Sequence, residues 1–323
     1  VYGDPAVISA LQRIGVPLEW ARDYALAGCA EVIIPGRSQC VAVAGWLNVA
    51  MMVNLALKRA SDSMVTRFQD FEEILQAVVR ESVNLMVEAT QRLDESAVLH
   101  RPTFTAHTLF TEGCIEAARP YIEGVAPFRS SQVLLVGIAN AADALYAILK
   151  MVFRRQEIGL DELKKALDAN FQGYEKLRQR LCALQKFGND HEDVDGLAVQ
   201  MLRAMAEEFD RHHTYRGGRY ALGVLMGIEN MHIAFGKVTG ATADGRYAGT
   251  PLADSIGPSQ GSARKGPTAA IQSVRRLDHN LLGAGAVFNI RFSATDLDRE
   301  ETLEKIAALI ETYLRLDRRN LLD

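Results

Sequence analysis

Cys29 and Glu31 set a thiol and a carboxylate two positions apart, in Gly28-Cys29-Ala30-Glu31, within a run from Ala25 to Ile34 that is otherwise almost wholly apolar. In an extended chain, residues i and i+2 face the same side and each residue advances about 3.3 Å. Read that way, the two groups point together, roughly 7 Å apart along the backbone. The gap suits a small substrate, with sulfur over one carbon and the carboxylate over a neighbouring hydroxyl. Gly28 before the pair and Pro35-Gly36 after it are turn residues, so the tetrad is expected at the tip of a loop. A cysteine in an apolar run is also an ordinary small buried hydrophobe, and short motifs recur by chance. The tetrad therefore needs support from elsewhere in the chain.

The sequence has 323 residues, 48% of them hydrophobic, which is enough for a large core in one big domain or two ordinary ones. A net charge of −4 leaves no basic footprint, so nucleic acid is not an expected partner. No His-Glu-x-x-His or Cys-x-x-Cys spacing occurs, and no metal site is expected. Cys29, Cys40, Cys114 and Cys182 are irregularly spaced, which fits a reducing, cytoplasmic compartment better than a disulfide scaffold. No apolar run approaches the roughly 18 residues of a membrane span. Val1-Tyr2-Gly3-Asp4-Pro5 and the closing Arg318-Arg319-Asn320 both read as the interior of a longer chain.

Several elements are expected to hold the tetrad. Ala6 to Arg13 and Leu18 to Leu26 read as short helices leading into it. Val41 to Leu57 reads as one buried helix on account of its length. Asp62 to Leu93 is helical, with Phe68, Phe71, Leu75, Val78, Val79 and Met86 as its apolar stripe. Thr103 to Phe110 is a candidate strand. Val133 to Ile138 is an apolar, β-branched run that enters a helix, as a strand buried in an α/β structure does. Asp161 is placed as the cap of a helix carrying Leu163, Leu167, Phe171, Tyr174, Leu177 and Leu181. A further helix covers Val194 to His212. From Arg216 to Gly285 the chain turns Gly- and Pro-rich, which suggests long functional loops. Asp296 to Leu316 closes as an amphipathic helix, with Ile306, Leu309, Ile310 and Tyr313 on its inner face.

That Gly-rich stretch contains Thr239-Gly240-Ala241-Thr242-Ala243-Asp244-Gly245-Arg246 and Ala248-Gly249-Thr250-Pro251-Leu252-Ala253-Asp254. These blocks resemble the long signature of the glycyl radical enzymes, the pyruvate formate-lyase-like superfamily. Gly266-Pro267-Thr268-Ala269, Ser273 to Asp278 and Phe288 to Phe292 continue it. Upstream, Gly137 to Asp143 and Gly188-Asn189-Asp190 are similar to family blocks, and the Cys29 tetrad falls where the family keeps its catalytic cysteine.

The resemblance implies an α/β fold, part of a ten-stranded barrel with many surrounding helices. Residues 1–323 would form a partial catalytic domain, with the Cys loop near 24–38 and the signature block at 216–292. It also implies a protein-based glycyl radical, with no bound cofactor, installed by an iron–sulfur, S-adenosylmethionine-dependent activase, and a homodimer when full length. Cys29 would abstract a substrate hydrogen and Glu31 would take or bind the adjacent hydroxyl proton. Hydrogen-atom transfer needs a neutral S–H, and apolar neighbours such as Val32, Ile33 and Ile34 are expected to shelter the thiol and raise both pKa values.

Residue 30 is Ala where acyl-transferring formate-lyases carry a second cysteine, so the tetrad resembles the eliminating dehydratase and lyase branch. The acyl lyases and arylacetate decarboxylases are the alternatives, and an inactive truncated or split paralogue is a non-enzymatic one. Ala42 and Val43 stand where glycerol dehydratase-like members carry His-Asp, which argues against glycerol or propanediol. Asn230 is the candidate substrate-binding residue. After Tyr313 the Arg-Val-x-Gly-Tyr loop of the radical glycine does not follow, so the C-terminal glycine radical domain is expected to be absent and the chain alone inactive.

Overall fold

An apolar run that feeds directly into a helix is the unit this fold repeats. The computed structural model describes residues 4–100, 104–225, 230–292 and 300–316. The chain opens with α1 (Asp4–Arg13), α2 (Leu18–Ala21) and a hairpin of β1 (Ala25–Ala27) and β2 (Glu31–Ile33). Then come β3 (Ser38–Asn48), α3 (Val49–Ser61), α4 (Phe68–His100), α5 (Ala106–Leu109), β4 (Phe128–Val136) and α6 (Ile138–Ile148), which runs on as a π-helical turn, Leu149–Arg154. The helices α7 (Leu160–Asp168), α8 (Glu175–Ala183) and α9 (Glu192–Phe209) follow. The last elements are β5 (Arg219–Val224), α10 (Met231–Val238), α11 (Gly266–Arg276), β6 (Gly285–Ala286) and α12 (Glu300–Leu316).

Strands β3, β4, β5 and β6 form one parallel sheet in that order. Alternation along β4 shows what lies on each face. Val133 and Leu135 join the large core built with α3, α4, α6 and α9, whereas Leu134 packs with the hairpin and α1. With both faces covered, the strand reads as a continuous apolar run rather than an alternating one, as a parallel strand should. The sheet thus has helices behind it and the Cys hairpin in front. No described helix is long and apolar enough to cross a membrane.

Several expectations need correction. Val41 to Leu57 is not one helix: the strand β3 ends at Asn48, whose side chain accepts a hydrogen bond from the Met51 N–H at 3.0 Å and starts α3. An apolar run that passes from strand to helix without a polar break has no periodicity to mark the change, and Asn48 was the available signal. Of Leu18 to Leu26, only the first turn is helical, and Ala25 onward is strand. Residues 104–110 hold the helical turn α5 rather than a strand, while Thr103 lies outside the described residues. Gly159 is the N-cap of α7, with Asp161 in its first turn, and Leu177 and Leu181 belong to a separate helix. The Gly-rich stretch holds regular elements, β5, α10 and α11, between its loops.

Candidate active site

The hairpin carries the tetrad. Its register pairs Ala25 with Ile33, Leu26 with Val32 and Ala27 with Glu31, leaving Gly28, Cys29 and Ala30 as a three-residue turn. Gly28 has φ +62, a left-handed conformation that glycine adopts without cost. It is also glycine for lack of room, because a Cβ there would lie 2.7 Å from the Glu31 Oε2. The Glu31 carboxylate folds back over the turn and accepts the Ala30 N–H at 2.9 Å.

Two expectations change here. Cys29 and Glu31 do not share a face of one strand, because Cys29 sits in the turn and Glu31 opens β2. Tight turn geometry wins over the extended form at Gly28. Nor is Cys29 sheltered by this chain: it is exposed at the tip, while Glu31 is 6% exposed. The apolar neighbours are buried beneath the hairpin instead of around the sulfur. Ala30, Val32 and Ile34 pack with Val7 and Leu11 of α1, Ile14 just after it, Leu134 of β4 and Ala221 of β5.

The hairpin lies on a polar strip of the sheet. Cys40 of β3 stands opposite Ser130 of β4. Burial pushes the Cys40 thiol up to about 11; its hydrogen bond with Ser130 opposes this, and the nearby Glu31 charge adds to it. Cys40 is therefore firmly an S–H at neutral pH. Two residues along β4, Gln132 is buried and donates from Nε2 to the Val32 carbonyl at 2.8 Å. Sequence reasoning missed Cys40 and Gln132; the signal was Ser130-Ser131-Gln132, three polar residues opening an otherwise apolar strand.

Asn230 is exposed and left-handed (φ 51), and is the N-cap of α10 beyond the carboxyl end of β5; residues 226–229 before it lie outside the described residues.

The signature block is built differently. Asp244 accepts from Asn140 Nδ2 at 2.8 Å and from the Thr242 hydroxyl, and its own carbonyl accepts from Lys186 Nζ at 2.7 Å. Asn140 Oδ1 in turn accepts the Ala253 N–H at 2.7 Å. The Arg246 guanidinium donates to the carbonyls of Thr239, Gly240, Tyr247 and Thr250. The conspicuous Asp-Gly-Arg is thus the fastening of a loop. Below it, Asp143 accepts the Phe187 N–H at 2.7 Å, and burial raises its pKa to about 8, against the opposing Lys186 charge. Among the described residues no group of three or more His, Cys, Asp or Glu is placed to hold a metal ion.

With this geometry in hand, comparison with known proteins is specific. The Pyruvate formate lyase-like family model matches residues 1–234, and the Glycine radical model matches residues 252–320. The chain is 29% identical to trans-4-hydroxy-L-proline dehydratase of Clostridioides difficile, over 98% of this chain and 41% of that one. It is 30% identical to isethionate sulfite-lyase of Bilophila wadsworthia, over 94% of this chain and 38% of the relative. Among solved structures, the glycerol-bound B12-independent glycerol dehydratase of Clostridium butyricum superposes with a TM-score of 0.92 at 31% identity, covering 98% of this chain and 41% of that one. The chain therefore spans about two fifths of the length of the relatives it matches. Its α/β class, a parallel sheet with many helices, is the expected one and is that of the glycyl radical enzyme barrels. A family match over residues 1–234, together with a tetrad that falls on an ordered hairpin against the sheet, means that this chain belongs to the pyruvate formate lyase-like family of glycyl radical enzymes.

Proposed function

We propose that the complete protein is a radical lyase or dehydratase that eliminates water, an amine or sulfite from a small hydroxylated molecule. The carrying observation is the hairpin itself, which presents the Cys29 thiol at its tip and holds the Glu31 carboxylate, nearly buried, against the same turn. Ala30 between them argues against acyl transfer through paired cysteines, and the relatives named as dehydratases and a sulfite-lyase support elimination. When present, the family's glycyl radical supplies one kind of chemistry, removal of a hydrogen atom from a thiol. The outward Cys29 fits that need, since a segment arriving from outside the hairpin can reach it.

Although the Glycine radical model matches residues 252–320, no Arg-Val-x-Gly-Tyr occurs in the sequence, so we place the radical-bearing glycine itself outside residues 1–323 and its installation with an S-adenosylmethionine-dependent iron–sulfur activase. The sulfur of Cys29 takes a hydrogen atom from the substrate carbon that bears the hydroxyl and returns one at the end of the cycle. Glu31 accepts the hydroxyl proton while the leaving group on the neighbouring carbon departs with its bonding pair, and its contact with Ala30 N–H fixes the carboxylate for that transfer. Asn230 is assigned to the substrate pocket. We place the protein in a reducing cytoplasm, as a homodimer; the four free cysteines support the compartment.

The test uses the complete enzyme, activated anaerobically. Cys29→Ala should retain the glycyl radical signal in electron paramagnetic resonance yet lose turnover, and Glu31→Gln should lose on the order of a hundredfold or more in rate. Turnover by Cys29→Ala removes that residue from the mechanism. An unchanged rate in Glu31→Gln points to decarboxylation instead.

A further inference from the structure

The Cys hairpin is nearly detached from the sheet in hydrogen-bonding terms. Ile34, just past β2, is tied to Ser38 at the start of β3; among the described residues, the only other hydrogen bond joining the hairpin to the parallel strands is Gln132 Nε2 to the Val32 carbonyl. It lies one residue from Glu31 and three from Cys29. Swapping the ends of the amide would set oxygen against oxygen, so the Val32 carbonyl fixes which way the amide points. That orientation leaves Gln132 Oε1 buried and accepting no hydrogen bond. A buried acceptor left unpaired costs about 1–3 kcal/mol, and such atoms in native structures ask for a partner. Ala221 of β5 is the cross-strand neighbour of Gln132, and Ala221, Leu134, Ala30 and Val32 belong to the apolar cluster under the hairpin. The hydrogen-bonding side chains on this face of β4, Ser130 and Gln132, follow its two-residue repeat on the side where Glu31 lies close enough to influence Cys40.

We propose that Gln132 is the positioning residue of the site and its specificity element: Nε2 clamps the Cys29–Glu31 hairpin to the sheet, and Oε1 accepts a hydrogen bond from a donor hydroxyl or ammonium of the substrate. The second half rests on the reading of this hairpin as the active site, while the clamp does not. Substrates lacking a donor at that position leave Oε1 unpaired and are discriminated against, as any site built around a buried polar group discriminates.

Two measurements separate the parts. Hydrogen exchange, followed in peptides covering residues 25–34 of this chain, should accelerate about two- to tenfold in Gln132→Met, a loss of one buried hydrogen bond, with peptides of α9 unchanged. Unchanged exchange in the hairpin overturns the clamp. In the complete, activated enzyme, Gln132→Met should lower kcat/KM by roughly ten- to a hundredfold for the substrate bearing the donor, and by much less for an analogue without it. Equal losses for both overturn the acceptor role. Gln132→Glu supplies a readout that a purely structural residue would not move. Its protonated acid can donate to Val32, and its carboxylate cannot, so activity should be rescued at low pH and lost along a limb absent from the wild type. A flat profile counts against the clamp. If the wild-type enzyme itself turns over nothing, the hairpin reading fails while the exchange result still decides the clamp.

Discussion

The Cys hairpin and the loop from Thr239 to Asp254 are the two most conspicuous stretches of the sequence, and they are held in opposite ways. The hairpin rests on apolar packing, the Ile34–Ser38 bonds at its end and one hydrogen bond from Gln132, with the Cys29 sulfur in the open. The signature loop is fastened many times over: Arg246 donates to four backbone carbonyls, Asp244 gathers Asn140 and Thr242, and Lys186 holds the Asp244 carbonyl. Fixed irregular backbone needs its polar groups paired. The loop is conspicuous in sequence because it must be stitched, and the hairpin because it sets a thiol beside an acid, the pair to which we assign the chemistry. A long matching motif is therefore no guide by itself to where chemistry occurs.

That contrast can be broken most forcefully at Arg246. Arg246→Met keeps the side chain's bulk and strips the donors from four carbonyls, and should cost about 3 kcal/mol or more in urea unfolding. A loss below about 1 kcal/mol would mean that the loop is held by packing.

Asp143 sharpens the same side of the comparison through pH. Burial lifts its pKa from the ordinary 3.8 to about 8, so between those values the folded protein keeps a proton that the unfolded chain has released. Stability must then fall as pH rises from about 4 to 8, by at most about 1.4 kcal/mol per pH unit for one proton. Asp143→Asn still accepts the Phe187 N–H and cannot ionise, so its stability should vary less steeply over that window. Parallel slopes for the two proteins would show that Asp143 is ionised when folded.

The smallest expected effect is at the hairpin. Gly28→Ala meets both a positive φ and the Glu31 carboxylate, and should cost about 1–2 kcal/mol, read as the same urea midpoint shift. A neutral outcome would mean that the turn relaxes freely and that the Glu31 position is not set by Gly28.

Legibility in the sequence followed the same divide. The apolar stripe of α4 was readable because a 33-residue helix repeats its period many times, and Phe71, Leu75, Val78 and Val79 are all buried. The strand entering α6 was readable because a run buried on both faces needs no alternation. The β3–α3 junction was not, since both elements are apolar there and only Asn48 marks the change. The tetrad was found, but its geometry was misjudged: a three-residue turn replaces the extended segment, and it aims the Glu31 carboxylate at the Ala30 N–H.

What the residues by themselves determined is local and chemical: a thiol and an acid separated by one small residue, glycines where the chain must turn sharply, and apolar stripes that fix which faces are inside. These follow from side-chain chemistry and backbone freedom, which need no partners. What only the tertiary structure decided is which distant groups meet. Gln132 reaches Val32 across 100 positions, Cys40 meets Ser130 through the β3–β4 pairing, and Asp244 closes on Asn140 across 104. Long-range hydrogen bonds depend on strand register and helix docking, and no local pattern encodes those.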